Sequence, residues 1–164
     1  MTETQNSRAS VSLLRALDDP EWIEWPKGYN RTEAAALFGS LVSRLESDFS
    51  VRCMSDQDGQ DSSEYGRVTV PADSTVCGTR IVVCISKFGS LALICADNPG
   101  AFLGTQDARN EGELDDGDLA KVDRALVELG YSVVSEELLE TAYDGPSLLY
   151  VERPTWSDRF FGIF

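Results

Sequence analysis

The carboxylates of this chain fall into two dense runs, and both have spacings that chemistry could use. The segment DARNEGELDDGD holds Asp107, Glu111, Glu113, Asp115, Asp116 and Asp118. Carboxylates paired at such spacing can hold Mg²⁺, or divide acid and base roles between them. The segment SDQDGQDSSE brings Asp56, Asp58 and Asp61 together as oxygen donors, which invites a calcium reading. The EF-hand pattern fails there. Counted from Asp56, glycine stands at loop position 4 and Arg67 at position 12, where that loop wants glycine at about 6 and a glutamate. Both runs also read as solvated surface, because acids at a helix start next to glycines act as caps and favour its positive end.

Other chemistry is excluded more firmly. The chain has no histidine, so neither a Ser-His-Asp nor a Cys-His arrangement can be built. Four cysteines stand at positions 53, 77, 84 and 95 with no C-x-x-C pair, so no metal site and no cofactor is expected. No phosphate-binding glycine loop is present either.

With 28 acidic against 14 basic residues, the formal charge is −14. Such a field repels nucleic acid and anionic membranes and favours a basic protein partner. The first nine residues are polar, without the apolar stretch of a leader, and read as a flexible tail. No run approaches a membrane span, and the expected compartment is the cytoplasm.

The elements that must carry these acids follow from hydrophobic period. Over 31–48, Ala34, Leu37, Phe38, Leu41, Val42 and Leu45 recur at helical spacing, with Asn30 or Thr32 as cap. A second helix spans 116–129 on Leu119, Val122, Leu126 and Leu129, with Gly130 past its end. A short helix at 11–17 follows Ser10. The segment EWIEWPKGYN, at 21–30, reads as a loop pinned to the body by its aromatic rings. Strands are expected near 50–56, 65–70, 131–135 and 147–152, and 100–118 reads as one long loop.

At the centre, 79–97 reads as a hairpin around Gly89-Ser90, a type II′ turn with Gly89 at positive φ. That turn pairs Val83 with Ala96, Cys84 with Cys95 and Ile85 with Ile94. Both its faces are apolar, so layers must cover both sides. The fold class is α+β: a mainly antiparallel sheet with this central hairpin, two main helices (31–48 and 116–129) and a short C-terminal helical turn, all within one domain over 10–164.

The last residues make that helical turn. Thr155 and Asp158 form a capping-box-like start. Trp156, Phe160 and Ile163 or Phe164 then share one face, and Trp156, Phe160 and Phe164 form a structural cluster completed by Tyr143, Asp144 and Arg159. Arg159 among aromatic rings calls for a carboxylate, and Asp144 of the YDG triplet is the expected partner. The combination of YDG with TWSDRFF resembles the C-terminal pattern of small bacterial proteins of uncharacterised function, some of which resemble immunity proteins that neutralise a toxin from a neighbouring cell. The resemblance spans 131–164, with Ser157 where family members often carry a second aromatic. It implies no catalytic residue.

The sequence therefore points to a non-enzymatic binding protein. Its acidic 107–118 segment would face a basic partner, in the manner of a phosphate backbone. Two other readings stay open: an enzyme using clustered carboxylates and a divalent metal, and a homodimer built on the aromatic C-terminus.

Overall fold

The computed structural model describes residues 10–19, 21–22, 24–57, 62–146, 149 and 152–162. Helix α1 (Val11–Leu17) is capped by the Ser10 side chain, which accepts from the Leu13 N–H. Helix α2 (Arg31–Phe49) is capped by Asn30, which accepts from Glu33 N–H, and ends at Ser50 in the left-handed region. Its expected stripe buries Phe38, Leu41 and Leu45, and adds Phe49.

Among the described residues, five strands follow one another across the sheet in chain order. They are β1 (Met54–Gln57), β2 (Glu64–Val70), β3 (Ile81–Ser86), β4 (Leu91–Ala96) and β5 (Ser132–Val134). The first four pair antiparallel, and β5 lies parallel to β4. β1 is an exposed edge strand and starts later than the change of period at Val51 suggests. Every residue of β3 and β4 is buried, as expected of central strands covered on both faces.

Two separate cores account for that burial. On one face, Val68, Val83, Ile85, Ala92 and Ile94 pack beneath α2 and the second long helix, α4 (Asp116–Glu128). On the other, Val82, Cys84, Leu91, Leu93 and Cys95 meet Leu14 of α1, Leu139 of α5 (Glu136–Leu139), and Trp156 and Phe160 of α6 (Trp156–Phe161). The four cysteines are free. No helix among the described residues is long and apolar enough to cross a membrane.

The hairpin departs from its expected register. Cys84 lies opposite Leu93 and Cys95 opposite Val82, a slip of two residues. The turn itself stands where the Gly-Ser pair puts it, with the Leu91 N–H donating to Phe88 O at 3.2 Å. Both central residues have positive φ, 61° at Gly89 and 53° at Ser90, which is the type I′ pattern and not II′. What moves the ladder is the pair just before the turn. The Lys87 N–H leaves it to donate to Ser63 O, and the Phe88 N–H donates to the Ser86 hydroxyl. Phe88 is thereby sunk into the second core against Phe160, their ring centroids 5.4 Å apart. A slip of two keeps each side chain on its face, so the two-sided apolar pattern survives.

The stretch 100–118 is not one long loop. It contains helix α3 (Gly104–Asn110), which buries only Gly104 and Ala108 and so lacks the apolar stripe that marks a helix in sequence. The tail at 1–9 and most of the strand expected at 147–152 lie outside the described residues.

Candidate functional site

The C-terminal cluster is built inward. Thr155 and Asp158 close a complete capping box at the start of α6. Trp156 and Phe160 stack at 5.6 Å, and Tyr143 meets Trp156 edge-on at 4.8 Å. Both α6 rings are buried within their own chain. Phe164 lies outside the described residues.

Arg159 does not pair with Asp144. It is fully buried and donates to Asp18 Oδ1 at 2.6 Å, while its Nη2 donates to the carbonyls of Asp19 and Trp22 at 2.9 Å each. The Tyr143 hydroxyl donates to the other Asp18 oxygen at 2.6 Å. Asp144 instead pairs at the surface with Arg15, 2.5 Å away. The reason is burial: a guanidinium sealed under Phe88 and Phe160 needs a sealed carboxylate, and Asp18 at the end of α1 supplies it. The same bonds hold the backbone at Asp19 and Trp22, so Arg159 ties down the start of this loop. Further on, the Trp25 ring stacks on Tyr29 and lies under the Lys87 ammonium, while Trp22 is 41% exposed.

The six acids of 107–118 divide into two groups. Four have work within the fold. Asp107 accepts from the Leu103 N–H, Asp115 caps α4 by accepting from Asp118 N–H, and Glu113 accepts from the Thr79 hydroxyl. Asp118 is buried and accepts from the Val76 N–H at 2.7 Å, which anchors the 72–78 loop. Glu111 and Asp116 point outward, Asp116 with only a long 3.3 Å contact to Arg109. Val76, whose N–H Asp118 holds, is 72% exposed. The Cys77 thiol registers the local field: it is pushed up by partial loss of hydration and then by Asp115, Asp118 and Glu113. Among the described residues no three acidic or cysteine side chains converge as a metal site. Asp56 lies on β1, while Asp58 and Asp61 fall outside the described residues.

A second feature has no counterpart in the sequence reading. A cleft of about 270 Å³ opens between the start of α2, the 26–30 loop and the β3–β4 turn. Tyr29, Tyr65 and Tyr131 line it. They come from a loop, a strand and the link between α4 and β5, so no local spacing connects them. The one signal available is that each stands next to a glycine in Gly28-Tyr29, Tyr65-Gly66 and Gly130-Tyr131. Burial pushes the Tyr29 hydroxyl up to about 12, with Tyr65 adding to the effect. Tyr131 is raised for the same reasons. These phenols therefore stay protonated and able to donate.

Compared with protein-family models, with curated proteins and with solved structures, the chain matches none.

Proposed function

We propose that this chain is a non-enzymatic binding protein that docks a basic protein partner on the acidic surface of 107–118. The observation that carries the reading is the division of labour among its acids. Asp115 and Asp118 brace backbone N–H groups, Glu113 holds the Thr79 hydroxyl, Glu111 and Asp116 stand outward, and Val76 is exposed on the loop that Asp118 anchors. An apolar point within a charged rim is the composition of a protein-docking surface. The chain's −14 charge would steer a basic partner toward it. An immunity-like role, neutralising a basic toxin, agrees with the resemblance of its C-terminal segment.

The test is retention on the immobilised chain from a source lysate at low salt, run beside an E111Q/D116N column. Neither substituted side chain braces the fold. The proposal expects a basic protein held by the wild type, released by salt and held poorly by the double variant. No retention, or equal retention on both columns, would overturn it.

A further inference from the structure

We propose that the tyrosine-lined cleft at the start of α2 binds a small organic monocarboxylate, its carboxylate on the phenols and its apolar body on the wall behind them. The site does not depend on the acidic surface and stands apart from it in the fold.

The strongest element is Tyr131. It is 5% exposed and lines the cleft, and its hydroxyl has no hydrogen-bond partner among the described residues. That hydroxyl is not among the sealed polar atoms, and the cleft is the opening that its residue lines. A buried phenol without a partner is costly unless water or a ligand completes it. Tyr29 lines the same space with its hydroxyl likewise unpartnered, whereas Tyr65 donates to Gln57 at 2.9 Å. Two phenols without a protein partner among the described residues thus line one cleft.

The electrostatics around them select the charge. The opening lies at the positive end of the 19-residue helix α2. Lys27 stands at its mouth without an ion pair among the described residues. Lys87 also lines the space, but its ammonium lies 3.2 Å from Glu24 and 5.5 Å from the Trp25 ring centre, which accounts for its charge. Two carboxylates oppose binding: Glu33 lines the cleft too, and Glu24 is near enough to raise the Tyr29 hydroxyl, an effect that Arg31 counters. A single negative charge is therefore favoured over a phosphate dianion, which Glu33 would repel more strongly. Ala34, Leu37 and Ile85 supply the apolar wall for the rest of the ligand.

Benzoate is the probe, followed by ¹⁵N chemical shifts, with benzamide and inorganic phosphate run in parallel. The expected result is saturable shifts at the amides around Gly28–Thr32 and Tyr131, with benzoate tighter than either comparison compound. Loss of one neutral hydrogen bond in Y131F should weaken benzoate about 2- to 10-fold, and E33Q should tighten it. The unliganded spectrum of Y131F shows whether the variant is folded. If it is not, E33Q alone decides the matter by its sign. No saturable shift with benzoate, equal binding by folded Y131F, weaker binding by E33Q, or phosphate or benzamide binding as tightly as benzoate would each overturn the proposal.

Discussion

The C-terminal helix and the 107–118 segment carry the two densest local signatures in this chain, and the fold turns them in opposite directions. Aromatic residues and an arginine are gathered at the terminus, where Trp156, Phe160 and Arg159 are all withdrawn from solvent. Acids are gathered at 107–118, where four are fastened to backbone or side-chain donors and two are left outside. The difference lies in what each group loses on burial. An aromatic ring gains by leaving water, and a guanidinium can follow it if one carboxylate and two carbonyls complete its shell. A carboxylate can be buried only where a donor waits, and the segment offers few. Local composition thus sets the density of a signature, and available partners set its direction.

The largest effects should come from breaking the inward side. W156A empties a fully buried site under Tyr143 and Phe160 and should cost about 3–5 kcal/mol. R159A leaves the buried Asp18 charge uncompensated and should cost a similar ~3–5 kcal/mol by chemical denaturation. The sharpening control is the surface pair that Asp144 makes with Arg15 instead. R15A breaks the exposed contact to Asp144 and should leave the denaturation midpoint almost unmoved. If R15A and R159A cost the same, the assignment of Asp18 as the buried partner is wrong.

The acidic segment should split next. D118A strands the Val76 N–H and should cost about 1–3 kcal/mol, whereas D116N and E111Q should leave thermal stability unchanged. Equal losses in all three would erase the inward–outward division.

The smallest effect concerns pH. Glu136, on α5, is pushed above the ordinary glutamate range by burial and by Glu140 and Glu137, against bonds from the Gly100 and Gly104 N–H groups. The folded protein then holds that proton more tightly than the unfolded chain. From about pH 4.3 up to the raised value, this group lowers stability as pH rises. E136Q keeps an oxygen for the Gly100 N–H and should flatten that part of the stability–pH curve. A curve unchanged by E136Q would mean that the carboxyl is not perturbed.

What the sequence discloses follows the same physics. The stripes of α2 and α4, the caps at Asn30, Thr155 and Asp158, and the two-faced hairpin are local patterns, and the fold keeps them. The ladder register was hidden because Phe88 leaves the strand for a core residue seventy-two positions away, Phe160. The partner of Arg159 was hidden for the same reason, since Asp18 lies 141 residues upstream. Helix α3 was hidden because it buries almost no apolar side chain. The tyrosine cleft joins three elements and has no period at all. Of the candidate acids, the sequence showed their clustering but not which of them the backbone would claim.

The most direct measurement for the central claim is the affinity of the retained basic protein for the wild type and for E111Q/D116N at two ionic strengths. The account predicts weaker binding by the double variant at low salt, weaker binding by both as salt rises, and a narrowing gap between them. Equal affinities at low salt, or binding insensitive to salt, would contradict it.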